Sequence, residues 1–206
     1  ANYSGYCFGV RRAIQMAKEA KVTEKPVWTL GELIHNPGIV RELEEQGIHI
    51  AHNAVDIKNS TVIIRSHGIT REEYNALQEN NNEIIDATCP YVKRTHKILQ
   101  QIVQEGYAVL ILGDRQHPEV IGMLSYGNDN TFVVGAEESL PEIEEKHLAV
   151  IAQTTQRIEK LQELVCKLLP KVEELRVFNT ICLATTQRQK ATEELAQASD
   201  VMFVIG

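Results

Sequence analysis

No apolar run in the chain approaches the roughly 20 residues that a membrane span needs. The longest are pieces such as Ala108-Val109-Leu110-Ile111-Leu112. No secretory signal opens it, so the chain as given reads as soluble and untargeted. Cysteine is scarce, four in 206 residues at wide, uneven spacings. That excludes the dense framework of a secreted disulfide scaffold and predicts a reducing, cytoplasmic setting. Positive charge is also short: 21 Lys and Arg stand against 28 Asp and Glu, a net −7. Nucleic acid is therefore not expected as a partner, because phosphate neutralisation dominates such binding. There is no Gly-x-Gly-x-x-Gly after a strand, no Gly-x4-Gly-Lys-Ser/Thr, no Gly-x-Ser-x-Gly and no close-spaced cysteine set, so no nucleotide cofactor is indicated. No Gly/Ser/Pro linker or low-complexity segment divides the sequence.

What is present is an alternation. Apolar runs of strand length occur at Val27–Leu30, Thr61–Ile64, Glu83–Ile85, Ala108–Leu112, Thr131–Val134, Leu148–Ala152, Leu175–Phe178 and Val201–Ile205. Between them lie helical spacings, such as Val10, Ala13, Ile14 and Ala17, or Ile158, Leu161, Leu164, Val165 and Leu168. Near-continuous apolar strands alternating with helices predict an α/β fold of repeated units with mainly parallel sheets, whose ligands collect just past the strands. Cysteine spacing suggests units over 1–89 and 90–179, and a third, starting at 180, that has room only to begin before 206.

Cys7, Cys89 and Cys182 each read as a residue leading from a strand-like run into an amphipathic helix, although Ala1-Asn2-Tyr3 leaves no room for a full strand ahead of Cys7. They are 82 and 93 positions apart, so each comes from its own structural unit rather than from a zinc knuckle. A helix N-terminus offers unpaired N–H groups and partial positive charge, which lower a thiol's pKa and ready it as a ligand. Three thiolates can hold a 4Fe-4S cube by three corners and leave one iron open for substrate, whereas a pure electron carrier usually has four. The competing reading is a non-catalytic module stapled by zinc on three cysteines and a histidine. A phosphate-ester binder with buried cysteines is a third. Cys166 follows no strand and lies about 140° from Leu161 on a helical wheel, so it reads as incidental.

His35, His67 and His117 also follow strands, and imidazoles there suit a phosphate or diphosphate. His49, His52, His96 and His147 sit among charged or loop residues and read as surface. Glu119 falls in the first turn of a helix, where it either serves the dipole or donates a proton. Gln153-Thr154-Thr155-Gln156 ends a strand and could cap the next helix or bind substrate. Arg11-Arg12, Lys93-Arg94, Arg188 and Lys190 read as solvated helix faces, with docking of an acidic electron carrier as the alternative.

Seven segments in order then carry a resemblance. Gly5-Tyr6-Cys7-Phe8-Gly9-Val10-Arg11-Arg12-Ala13, Ile34-His35-Asn36-Pro37, Ser66-His67-Gly68, Asp86-Ala87-Thr88-Cys89-Pro90, His117-Pro118-Glu119-Val120, Gln153-Thr154-Thr155 and Ala184-Thr185-Thr186-Gln187-Arg188-Gln189 resemble the 4-hydroxy-3-methylbut-2-enyl diphosphate reductases, the IspH or LytB family. The resemblance implies αβα units in a cloverleaf around a 4Fe-4S cluster, and the last step of the methylerythritol phosphate route to isoprenoids. It puts Cys7, Cys89 and Cys182 on the cluster, and His35, His67 and His117 around the diphosphate. Glu119 and Thr154 fall near the reacting hydroxyl. A ferredoxin or flavodoxin supplies electrons, and isopentenyl and dimethylallyl diphosphates are the products. It also implies a Gly-Lys-x-Ser-Ser-Asn stretch beyond residue 206 that completes the pocket, so these 206 residues alone are expected to be an incomplete enzyme.

Overall fold

The structure is a computed structural model and describes residues 2–20, 24–142 and 144–204. It divides into two compact units. One comprises Tyr6–Lys93 with Ile121–Tyr126, and the other Ala1–Gly5, Arg94–Val120 and Gly127–Gly206.

The unit containing Tyr6 holds α1 (Phe8–Ala20), β1 (Val27–Leu30), α2 (Pro37–Glu45), β2 (Ile48–Ala51), β3 (Thr61–Ile64), α3 (Arg71–Glu79) and β4 (Glu83–Asp86). Its four strands are parallel in the order β2-β1-β3-β4. α1 places Ala13, Ala17 and Ala20 at helical spacing, all buried with Val27, Ile63 and Ala87 in one core cluster. α3 is started by a capping box in which Thr70 Oγ1 accepts the Glu73 N–H and Glu73 accepts the Thr70 N–H.

The other unit holds β5 (Ala108–Leu112), β6 (Thr131–Val134), β7 (His147–Ala152), α6 (Ile158–Leu168), β8 (Glu174–Val177) and α7 (Leu183–Gln197). Helices α4 (Pro90–Gln104) and α5 (Pro118–Leu124) flank β5 in sequence. The strands are again parallel, in the order β6-β5-β7-β8. Every residue of β5 is buried, so Val, Leu and Ile on both faces each contribute about 1.5–3 kcal/mol. Leu161, Leu164 and Leu168 of α6 pack into this core.

The expected α/β class with parallel sheets is what the chain adopts, and four details differ from the sequence reading. β2 was not anticipated. α7 has no buried residue, although its start at Cys182 suggested an amphipathic helix. Val201–Val204 form no strand; Phe203 and Val204 are 86% and 84% exposed, and their backbone lacks the neighbouring strand that pairing requires. Ile205 lies outside the described residues. His96 is only 8% exposed, because α4 aligns it with buried Val92 and Leu99 despite the charged neighbours that suggested surface.

Candidate functional site

In each unit the chain leaves the second strand of the sheet order in both directions, so the two central strands form a switch point where ligand-binding loops diverge. In the unit containing Tyr6 these strands are β1 and β3. The loop after β1 carries His35, immediately before Asn36, whose side chain accepts the N–H groups of Gly38 and Ile39 to start α2. The turn after β3 carries His67. The Ser66 N–H donates to the Leu33 carbonyl at 3.1 Å and ties the two loops together. The rings of His35 and His67 stack with centroids 4.4 Å apart and 24° between planes. Glu32 places a carboxylate oxygen 3.7 Å from His35 Nδ1.

Cys7 and Cys89 lie in the same unit. Each carbonyl accepts the first helical N–H beyond it, from Arg11 and Lys93 respectively, both at 3.0 Å. The Cys89 N–H donates to the Ser66 carbonyl at 2.9 Å, so the Cys89 turn is fastened to the His67 turn. A Cβ added at Gly9 would lie 2.7 Å from Cys89 Sγ and 4.0 Å from Cys7 Sγ, so both thiols border one point that only glycine leaves open. Arg12 reaches back from α1 to the Thr88 and Asp86 carbonyls, at 3.3 and 3.4 Å. It braces the Cys89 turn rather than forming a solvated face. Burial pushes the Asp86 carboxyl up, but hydrogen bonds from Lys93 and Thr88 outweigh it and hold the group below its ordinary value.

In the other unit the central strands are β5 and β7. Glu119 enters from the first turn of α5 and is 1% exposed. Its two carboxyl oxygens meet the end of β7, where the Thr154 N–H donates to Oε1 at 2.7 Å and the Thr154 hydroxyl to Oε2 at 2.8 Å. Burial pushes the Glu119 carboxyl up and outweighs these hydrogen bonds, which act the other way. His117 Nδ1 accepts the Glu119 N–H at 3.1 Å, which leaves Nε2 to carry the proton of the neutral ring. Thr154 also faces the third cysteine, its carbonyl accepting the Cys182 N–H at 2.9 Å. Thr180, just before, exchanges hydrogen bonds with both backbone groups of Ala152. Cys182 caps α7, with Sγ 3.3 Å from the donating Thr185 N–H and 3.0 Å from the Thr185 hydroxyl.

The structure thus pairs His35 with His67, Cys7 with Cys89, and Glu119 with His117, Thr154 and, through Thr154, Cys182. Cys166 is exposed on α6 and takes no part. Gln153 is buried, but it does not cap α6, whose N-cap Arg157 makes no side-chain cap bond. Instead Gln153 accepts the Asp114 N–H at 3.0 Å and holds the loop that leads to His117. Gln153, Ser66 and Arg12 were not singled out as supports of the site from sequence; a polar residue one position past an apolar strand is the signal that Gln153 offered.

One expectation concerns stability. Unfolded, the Glu119 carboxyl ionises near its ordinary 4.5; folded, it retains its proton to higher pH. The unfolded state then binds fewer protons, so this group's contribution is full below pH 4.5 and is lost as pH rises towards the raised value. Urea unfolding of parent and Glu119→Gln across pH 4.5 to 8 should show the parent losing stability relative to the variant as pH rises. Parallel curves would reject the burial cost.

A family model described as LytB protein matches residues 1–206. The chain is similar to the 4-hydroxy-3-methylbut-2-enyl diphosphate reductase of Pelobacter propionicus, 44% identical over 207 residues, covering 100% of this chain and 74% of that protein. It is likewise similar to the reductase of that name from Geobacter sulfurreducens, 44% identical over 209 residues, covering 100% of this chain and 73% of that one. Among solved structures it is similar to (E)-4-hydroxy-3-methyl-but-2-enyl diphosphate reductase, described as the terminal enzyme of the non-mevalonate pathway, with TM-score 0.83, 42% identity, and coverage of 100% of this chain and 75% of that one. It is also similar to the E-1-hydroxy-2-methyl-but-2-enyl-4-diphosphate reductase from Plasmodium falciparum, with TM-score 0.87, 27% identity, and coverage of 96% and 64%. The chain spans about three quarters of the curated relatives' length, and with the family match running over all 206 residues it belongs to the LytB protein family.

Proposed function

We propose that this chain serves, as part of the full-length enzyme, in the reductive removal of the hydroxyl of 4-hydroxy-3-methylbut-2-enyl diphosphate, giving isopentenyl and dimethylallyl diphosphates in the last step of the methylerythritol phosphate route. Two electrons and two protons enter; one proton leaves with the hydroxyl as water and the other ends on carbon. The observation that carries this reading is Glu119, a carboxyl buried at a sheet switch point and gripped at both oxygens by Thr154. Burial makes it keep its proton to higher pH than an exposed glutamate does, which suits a general acid. When Glu119 carries that proton, the Thr154 hydroxyl can accept it and turn its own hydrogen outward. The pair therefore forms a two-member proton path towards a departing hydroxyl.

His35, His67 and His117 are the diphosphate ligands in this reading. The stacked rings of His35 and His67 bring two imidazoles together from adjacent loops, and His117 offers Nε2–H because Nδ1 is occupied by the Glu119 N–H. Cys7, Cys89 and Cys182 would hold a 4Fe-4S cluster. They fit that role: none is in a disulfide, each opens a helix, and Gly9 keeps the space between Cys7 and Cys89 clear of side chain. When bound, the cluster supplies the reducing electrons, drawn from a ferredoxin or flavodoxin. Four cysteines outside any disulfide suit a reducing compartment such as the cytoplasm.

The test is metal analysis and turnover of the full-length protein purified without oxygen. About four irons per chain, a brown colour and substrate-dependent oxidation of a reduced one-electron donor are expected. Stoichiometric zinc in a colourless protein would reject the assignment.

A further inference from the structure

Arg65 leaves the carboxyl end of β3 between the two histidine loops of its unit and has no place in the proton path or the thiol set. It folds back over the loop that follows β1. A Cβ added at Gly31 would lie 2.6 Å from Arg65 Nη1 and 3.4 Å from Cζ. The guanidinium can rest there only because Gly31 lacks a side chain, and that glycine also holds φ at +71°. Arg65 Nε meanwhile donates to the Gly68 carbonyl at 3.1 Å, on the residue directly after His67. One planar group therefore touches the loop that leads to His35 and the turn that carries His67. Burial pulls the guanidinium below its ordinary pKa, and the Glu73 carboxylate acts the other way. Glu73 is itself fixed by the capping box with Thr70.

We propose that Arg65 is a positioning residue for diphosphate recognition, a clamp from Gly31 to Gly68 that sets the spacing and facing of the His35 and His67 rings. This rests on the reading of these histidines as diphosphate ligands. The physical need is plain. Two imidazoles 4.4 Å apart can donate to one small anion only if both ring directions are fixed, and the Ser66 to Leu33 hydrogen bond ties the loops at one backbone point before His67. Arg65 adds a second tie on the other side of His67 in the sequence. Lysine cannot replace it, since its ammonium is a point donor without the planar fork that lies against Gly31 while Nε holds the Gly68 carbonyl.

The experiment compares the parent full-length holoenzyme with Arg65→Lys and Arg65→Gln, by hydrogen exchange, by binding of inorganic pyrophosphate and by steady-state kinetics. In both variants, exchange over residues 31–36 and 66–68 should quicken at least about tenfold while β5 and β7 stay as in the parent. Affinity for pyrophosphate should fall about ten- to a hundredfold, the worth of one or two hydrogen bonds. KM should rise with it by more than kcat falls, a split that general destabilisation does not produce. Unchanged exchange in either loop, or pyrophosphate binding within about threefold of the parent, overturns the clamp. Should Arg65→Gln fail to fold, Arg65→Lys decides, since it keeps the charge and most of the stem. A parent that neither binds pyrophosphate nor turns over substrate rejects the proposed function instead, and exchange in the two loops still decides the clamp.

Discussion

Replacing Glu119 by glutamine in the full-length holoenzyme should lower turnover by about 10² to 10⁴, the range that general acid catalysis typically supplies, and leave substrate affinity and iron content at parent levels. Glutamine preserves the geometry closely. Its oxygen can accept the Thr154 N–H now held at 2.7 Å, and its amide can donate to the Thr154 hydroxyl now 2.8 Å from Oε2. What disappears is the transferable proton. Hydroxide is a poor leaving group, so electrons delivered to an allylic system expel the oxygen only if it is protonated as its bond breaks. A selective loss of kcat is therefore the signature of a group needed in the transition state. Thr154→Val, which removes the hydroxyl but keeps the N–H, should produce a smaller loss in the same parameter. A Glu119→Gln rate within about threefold of the parent, far short of the range for acid catalysis, would exclude this carboxyl as the proton source.

Serine at Cys7, Cys89 or Cys182 should each abolish iron binding, while serine at Cys166 should leave it intact. The contrast has a structural basis. The first three open helices, with carbonyls accepting the N–H four residues on, in the positive end of the dipole that favours a thiolate. Cys166 is exposed on the side of α6 away from the buried stripe of Leu161, Leu164 and Leu168. A hydroxyl is a far weaker ligand than a thiolate for iron in such a cluster. Iron and sulfide measured on anaerobically prepared protein decide the matter. Equal loss from all four variants would mean that the assignment confuses misfolding with ligation.

How much of this was legible beforehand depended on the residue. Strands buried on both faces announce themselves as continuous apolar runs, and β5 and β7 lay where such runs predicted, to within a residue. β2 did not, because Ile48-His49-Ile50-Ala51 is an edge strand with His49 exposed, and a four-residue alternation is a weak signal. The site residues were visible one by one, each just past a strand. Their partnerships were not. Glu119 and Thr154 are 35 positions apart and meet because β5 and β7 pair in parallel, Leu112 opposite Ala152. Arg65 was visible only as a cation after an apolar strand; that it doubles back over Gly31 depends on the neighbouring strand's loop. His96 departs from expectation for a different reason: its charged sequence neighbours point to a surface position, but Val92, His96 and Leu99 mark one face of α4.

Each sheet is drawn from one uninterrupted stretch of chain, β1 to β4 over residues 27–86 and β5 to β8 over 108–177, and this sets an order of events on the ribosome. The strands that position Cys7 and Cys89 are complete long before Cys182 has been made. At about 5–20 residues per second, roughly 5 to 20 seconds separate the second cysteine from the third. In that interval the nascent chain displays two thiols beside one glycine, and the donor set is short of a member. A site that needs all three thiols can be completed only after Cys182 has been made, and until then the two early thiols depend on the reducing power of their compartment to remain unoxidised.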